Sequence, residues 1–330
     1  MDLQLTEEQR WLSESVDALI AREPADRVWR TLVEFGALEV RGDEAMGVVE
    51  LALVARSVGA RLAAVPYVDS AAVHYVVEIG DVSAAPCLSE PGRSFAPTDP
   101  STTLDDGRLT GEKAGVLYAG AVDLLAVPAS STDGLVLALV PAAAAAITAE
   151  PTLDPSVRPA LVSFDAAEAD RVVADRSAVE SLAAVGGVLA SAEAVGAAST
   201  ALELARDYAS QRRQFGHTIG SFQAVRHLLA DMYVKVESSW SSVLYAAAAL
   251  DEEEPDALRT ASIAKAYTAR ATRDVAHGAL QVFGGIAFTA EHPAHRFLRR
   301  IAVRAGQFGT AREHERSLGR SLAHKLEVLT

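Results

Sequence analysis

Arg206 to Asp231 reads RDYASQRRQFGHTIGSFQAVRHLLAD, and this stretch decides the fold. One helix ends here, glycines at Gly216 and Gly220 punctuate a turn, and a second helix begins. Arg212, Arg213, Gln214, Phe215 and Gln223 crowd the bend. Ala-rich amphipathic sequence continues far on both sides, so rigid helices hold the turn where a ligand or partner chain can meet it. A guanidinium suits phosphate because its planar fork donates two parallel hydrogen bonds. A solvated loop paired with acidic neighbours has the same composition, and the residues alone leave both readings open.

Working outward, Ala178 to Ser210 reads as one long helix, with Gly186-Gly187 and Gly196 at points of close packing. Ser221 is expected to cap the next helix, where Phe222, Val225, Leu229, Met232, Val236 and Val243 keep the 3.6 period. An acidic run from Asp251 to Pro255 ends it; Asp256 opens a third, closed by Gly284-Gly285. Pro293 opens the last, expected to run unbroken to about Leu326. Long antiparallel helices with short loops make a four-helix bundle over residues 177–330.

Upstream the texture differs. Thr6 and Gln9 have the spacing of a capping box for a first helix, which Pro24 stops. Trp29 to Phe35, Gly47 to Val65 (closed by Pro66) and Ser70 to Ile79 complete a small helical domain over 1–83. Residues 84–176 carry prolines, turn signals such as Asp105-Asp106-Gly107 and Thr132-Asp133-Gly134, and strand-length runs LLAVPA, GLVLALV and ALVSF. No helical segment interrupts them, so an antiparallel barrel or sandwich is expected.

A formal net charge of −14 argues against a nucleic-acid partner. The single cysteine, Cys87, leaves no intrachain disulfide and no cysteine zinc site. The acidic start MDLQLTEEQR lacks an apolar run, and Val136 to Ile147 contains Pro141 and is too short for a bilayer. A cytoplasmic chain without a membrane partner is the expectation.

Three further groups carry a weaker signal. Gln281 to Ile286 (QVFGGI) has a glycine pair that either caps a helix or admits a ligand beside the Gln281 amide. Arg296, Arg300 and Arg304 form an i, i+4, i+8 stripe, read as a solvated or subunit-contact face. Glu291, His292 and His295 fit no metal spacing, so no metal is expected. A GxSxG elbow, a Walker loop and a GxGxxG after a strand are all missing, which removes the minimal parts of hydrolase and Rossmann readings.

Together these pieces resemble the acyl-CoA dehydrogenase family. RRQFGHTIGSFQAVRHLLADM is similar to that family's RxQFGxxIxxFQxxxxxLADM, and QVFGGIAFTAEHPAHRFLRR to its Q(I/V)xGGxGFxxExPxxRxxRD. GRSLAHKL resembles its closing IGRxL segment, and the TEEQ opening and helical–β–helical order also fit. The resemblance implies FAD held across subunit borders. Arg212, Gln214 and Phe215, with Gln223 beside them, match positions that reach a neighbour's FAD around its ADP half. Gln281, Gly284 and Gly285 match the segment that closes over the same FAD.

Departures from the family pattern matter equally. The family reaction needs a glutamate to take a proton from Cα while a hydride leaves Cβ for the flavin. At the two places where members carry that glutamate this chain has Phe308 and Gly186, so no catalytic residue is assigned. The W-I-T-N segment that lies against the flavin becomes Gly115-Val116-Leu117-Tyr118, and Ser89-Glu90-Pro91-Gly92 only echoes the family's T-E-P-x-A-G-S-D loop. An intact half-site for a neighbour's FAD beside a degraded site of its own is similar to the smaller subunit of heteromeric members from actinobacterial sterol breakdown. That resemblance implies a larger, glutamate-bearing partner in a two-plus-two heterotetramer that desaturates an acyl-CoA, with a steroid side chain as one acyl class. The alternatives are a homotetramer whose base is Glu291, Glu193 or Glu313, and a flavin-free scaffold.

Overall fold

The computed structural model describes residues 3–40 and 45–328, and side chains as far as residue 323. Helix α1 (Glu7–Arg22) starts at the expected capping box: Thr6 Oγ1 accepts the Gln9 amide at 3.1 Å, and Gln9 Oε1 accepts the Thr6 amide at 3.0 Å. Helix α2 (Val28–Glu34) gives way to Gly36 at φ +84°. Helix α3 (Val48–Ala60) is shorter than its periodicity suggested, because the chain turns at Leu62 with φ +51°. Pro66 then stands at the N-cap of α4 (Tyr67–Val76) rather than at the end of α3. A proline fits there because the first amides of a helix have no internal partner.

The β region forms an eight-stranded sheet. Its strands are β1 (Ala84–Pro86), β2 (Thr103–Asp105), β3 (Arg108–Leu117), β4 (Leu124–Ser131), β5 (Gly134–Pro141), β6 (Ala146–Ala149), β7 (Pro159–Glu168) and β8 (Arg171–Val173). The order is β6-β7-β3-β2-β4-β5-β8, with β1 beside β4. Most pairings are antiparallel as expected, but β4 runs parallel to both β1 and β2. The chain reverses twice between β2 and β4, once into β3 and once through the 3₁₀ turn at Ala119–Ala121, which restores the original direction.

The C-terminal helices are α5 (Arg176–Gln211), α6 (Gln223–Asp251), α7 (Ala257–Phe283), α8 (Ala294–Gly306) and α9 (Ala311–Val328). Ser221 is not the cap of α6. Phe222 holds that position without a side-chain bond, while Ser221 Oγ donates to the Thr218 carbonyl at 2.6 Å. The last expected helix is two helices, broken where Phe308 (φ +56°) and Gly309 (φ +90°) turn the backbone left-handed. Strong apolar periodicity on both sides conceals a two-residue break.

Helix α5 is the centre of the molecule, packed against α3, α4, α6, α7 and α8. It is long and apolar enough to cross a bilayer, yet 83% of its apolar window is buried inside the protein. Its contact with α3 is backbone to backbone. A Cβ at Gly59 would lie 1.9 Å from the Glu193 carbonyl oxygen, and one at Gly196 would lie 1.9 Å from that of Arg56. No side chain fits either place, so these two glycines set the spacing of the two helices. Asp251, the last residue of α6, closes the other end of α3 by accepting the amides of Val48 at 2.7 Å and Val49 at 3.1 Å.

Candidate functional site

The turn between α5 and α6 is a short hairpin: β9 (Arg213–Gln214) pairs antiparallel with β10 (His217–Thr218). Phe215 and Gly216 bridge them with φ of +51° and +82°. Two consecutive left-handed residues match the twist of a two-residue hairpin. Arg213 Nη2 ties the loop by donating to the Gly216 carbonyl at 2.8 Å, and Gln214 Nε2 donates to the Arg213 carbonyl at 2.7 Å. Arg212 takes no part beyond its backbone; its exposed guanidinium has no partner among the described residues. Phe215 is 89% exposed, set edge-on to Phe222 with ring centres 6.3 Å apart. Gln223 is exposed as well.

The QVFGGI segment lies at the same end of the bundle. Tyr208, one turn before Arg212, packs on Phe283 at 5.3 Å, and Phe283 packs on His292 at 4.3 Å. Gln281 is exposed. Gly284 ends α7 at φ +66°, and a Cβ on Gly285 would meet nothing within 4 Å. His292 Nδ1 accepts the Ala294 amide at 3.2 Å, so this imidazole caps α8. Phe288 is 78% exposed beside the glycines. The unpaired Arg212 guanidinium, exposed rings and open glycine backbone thus share one end of the bundle.

The arginine stripe is not solvated. Arg296 is exposed, but Arg300 and Arg304 are fully buried, which overturns the expectation of a surface face for them. Arg300 donates to Asp154 at 2.7 Å, Glu193 at 2.8 Å, Ser156 at 2.7 Å and the Ala63 carbonyl at 3.0 Å. Arg304 reaches Asp69 at 3.3 Å, Gln307 and the other oxygen of Glu193, the last at 2.8 Å as an ion pair. Burial alone would pull both guanidinium groups down, but the facing carboxylates outweigh it and push both up. Asp69 is pushed up by its burial, against the opposing pull of Arg304. Two arginines therefore stitch α8 to α4, α5 and the β6–β7 connection. Apart from Gln307, their partners lie 107 to 237 residues away in sequence, so no local pattern announces them.

A cleft of about 380 Å³ opens between the sheet and the break after α8, with Leu88, Gly115, Leu117, Val303 and Phe308 in its lining. No carboxylate lines it among the described residues. Gly115 (φ +64°) leaves one wall open: a Cβ there would meet nothing within 4 Å. The Phe308 ring is buried against Gly186, where a Cβ would lie 2.1 Å from its Cε1. The two positions at which the resemblance led one to expect a glutamate are thus in mutual contact.

A second cleft of about 430 Å³ lies beyond Phe308, with Phe95, Gly187, Lys265, Glu313, His314 and Arg316 in its lining. Burial, aided by the Arg304 cation, pulls Lys265 down to about 7. Its ammonium donates to the Arg304 carbonyl at 2.6 Å. The Glu90 echo loop is anchored elsewhere: Glu90 accepts from Lys113 at 2.8 Å and from the amides and hydroxyls of Ser101 and Thr102. Neither Lys265 nor Lys113 carries a motif that sequence reasoning could have used.

The three carboxylates named as alternative bases are placed poorly for that role. Glu193 is clamped by Arg300 and Arg304. Glu313 accepts from Phe95 and Thr310 amides at 2.7 and 2.8 Å, which hold it below its ordinary range despite burial. Glu291 is exposed beside the capping histidine.

The model of the acyl-CoA dehydrogenase C-terminal domain matches residues 177–323. The acyl-CoA dehydrogenase FadE27 of Mycobacterium tuberculosis is 30% identical over 330 positions, covering 90% of this chain and 88% of that protein. The chain belongs to the acyl-CoA dehydrogenase family. A probable family member, FadE25 of the same organism, is 41% identical over 108 residues, which is 33% of this chain but only 28% of that protein. Among solved structures, a chain of the ChsE4-ChsE5 complex from M. tuberculosis superimposes with a TM-score of 0.87 at 26% identity, covering 98% of this chain and 99% of that one.

Proposed function

We propose that this chain is the non-catalytic subunit of a heteromeric, FAD-dependent acyl-CoA dehydrogenase. A larger partner supplies the glutamate base, and the assembly converts an acyl-CoA, with steroid side-chain thioesters as the candidate class, to the trans-2-enoyl-CoA in the cytoplasm. This chain contributes FAD contacts and assembly. One observation carries the reading: Phe308 stacks on Gly186 at the edge of a cleft that no described carboxylate lines. A proton cannot be taken from an acyl α-carbon without a base within hydrogen-bond reach.

The residues fit FAD unevenly. Around Arg212 they fit: an unpartnered guanidinium, the Gln214, Gln223 and Gln281 amides, the exposed Phe215 ring and the open backbone at Gly284 and Gly285 suit a dinucleotide presented by a partner. The chain's own cleft fits poorly, because Gly115 and Leu117 offer neither an aromatic wall nor a hydroxyl. When bound, the flavin supplies the hydride acceptor. Arg212 and Gln281 hold and orient its phosphate-bearing half, and the exposed aromatic side chains exclude water around it. Likeness to a chain of a two-protein complex supports the partner subunit.

Expression with and without candidate larger family members tests this. Colourless or insoluble protein alone, becoming a yellow and active complex on co-expression, is the expected result. A yellow, active assembly of this chain by itself overturns the proposal.

A further inference from the structure

A cavity of about 330 Å³ lies in the N-terminal helical domain and shares no lining residue with either cleft described above. Helix α2, the end of α4 and the chain from Gly80 to Ser83 frame it, with Asp123, just before β4, at one side. The frame is tied down. Arg171 donates to the Glu78 carbonyl at 2.7 Å, and the Ser83 amide and hydroxyl donate to Asp123 Oδ2 at 2.8 and 2.6 Å. Half-buried Trp29, Val33, Leu38 and Ile79 give it an apolar wall. His74 is a buried polar side chain in that wall, 8% exposed. Its Nε2 lies 2.9 Å from the Val82 carbonyl, which can only accept, so Nε2 carries the proton. Nδ1 is then a lone-pair acceptor, and it has no partner among the described residues. Burial pulls the ring below its ordinary value, against the hydrogen bond to Val82 and the charge of Asp81, and keeps it neutral at pH 7.

The charges on the lining identify what the cavity takes. Glu39, Glu78, Asp81 and Asp123 are exposed at its rim, and none of them is in an ion pair among the described residues. The arginine of the lining, Arg30, is drawn to Glu34 at 3.3 Å. A field of this sign repels carboxylates and phosphates, so neither an acyl-CoA nor a dinucleotide belongs here. It favours a cation, and the apolar wall favours one carried on a hydrocarbon body. The half-buried indole of Trp29 offers the ring face that a cation prefers. The unpaired imidazole nitrogen calls for a ligand with an N–H to give. We propose that the cavity binds a small organic ammonium ion, its stem against Trp29 and Ile79 and its N–H groups donated to His74 Nδ1 and the carboxylate rim. A neutral apolar ligand would leave the carboxylates and Nδ1 unanswered, and a metal ion would make no use of the apolar wall. The site lies outside the flavin contacts and both clefts, and it is independent of the proposed function.

Isothermal titration calorimetry on the chain in its native assembly tests this with three probes of similar shape: 2-phenylethylammonium, 2-phenylethanol and 3-phenylpropionate. The ammonium is expected to bind one equivalent per copy of this chain, at least about 10-fold more tightly than the alcohol, as a charged hydrogen bond predicts. The carboxylate should not bind. His74→Phe keeps a ring, removes the acceptor and should weaken ammonium binding about 10-fold. The double variant Glu78→Gln, Asp81→Asn alters only exposed side chains, so it keeps the fold even where His74→Phe does not. It should weaken binding about 3- to 10-fold at low salt and less at high salt. Ammonium that does not bind wild type, binds no better than the alcohol, or is held undiminished by the folded variants overturns the site. Each of those results leaves the non-catalytic reading standing.

Discussion

The phenyl ring of Phe308 occupies the space that any side chain at Gly186 would need: a Cβ there falls 2.1 Å from Cε1 and 2.5 Å from Cζ. The residues are more than a hundred positions apart, one on the central helix α5 and one in the break between α8 and α9. Each makes the other's identity necessary.

Gly186→Ala therefore destabilises the protein by about 1–3 kcal/mol through overpacking, although alanine favours a helix by about 1 kcal/mol. Phe308→Ala costs about 3–5 kcal/mol by leaving a cavity. The double variant loses less than the sum by at least about 0.5 kcal/mol, because the methyl enters the vacated space. Denaturant unfolding of the four proteins reads this out, and strict additivity would show that the two do not share space.

Glu193→Gln costs about 3–5 kcal/mol, because it leaves Arg300 and Arg304 buried without their shared carboxylate. The exposed pair Arg270–Glu315, at 2.6 Å, is the control: Arg270→Ala changes stability by less than about 1 kcal/mol. Thermal unfolding of both variants at one pH gives the contrast. Equal effects would mean that burial of the network is overstated.

Lys265 makes stability depend on alkaline pH. Burial and Arg304 lower its folded value to about 7, whereas an unfolded lysine titrates near ~10.4. Between those values the unfolded chain binds more protons, so stability rises with pH across that window; below it both states are protonated and the contribution is flat. The wild type should gain on the order of 4 kcal/mol relative to Lys265→Met from pH 7 to 10. Parallel profiles for the two would refute the assignment.

Glu90 acts in the opposite range. Burial alone would push it up, but hydrogen bonds from Lys113, Ser101 and Thr102 hold it well below the usual carboxylate range. Its contribution is present above the unfolded value near ~4.3 and is lost as pH falls below it toward the folded value. Glu90→Gln should lower stability at pH 7 and flatten the acid limb of the curve, measured by urea midpoints from pH 7 down to pH 3.

Arg212→Ala should leave the chain's own stability within about 0.5 kcal/mol, since the guanidinium has no internal partner. FAD retention in the assembled complex should fall about 10- to 100-fold, as expected for a charged hydrogen bond worth about 1.5–3 kcal/mol. Arg212→Lys restores charge without the fork and should recover only part of it. Flavin absorbance after gel filtration measures the effect; full retention in Arg212→Ala would remove this residue from the cofactor contact.

What the sequence determined by itself is local or carried by contiguous motifs. The Thr6–Gln9 capping box, the stop at Gly36, the glycine end of α7 and the Arg212–Phe215 turn each depend on residues a few positions apart, so short-range chemistry settles them. Family membership follows from such contiguous runs. The tertiary structure alone decided matters whose partners are distant. A stripe of arginines at i, i+4 looks the same whether it meets water or Asp69, Asp154 and Glu193, and only the packing of α8 against α4 and α5 chooses burial. The break at Phe308 was hidden for the same reason: its left-handed turn is held by Gly186 and His314.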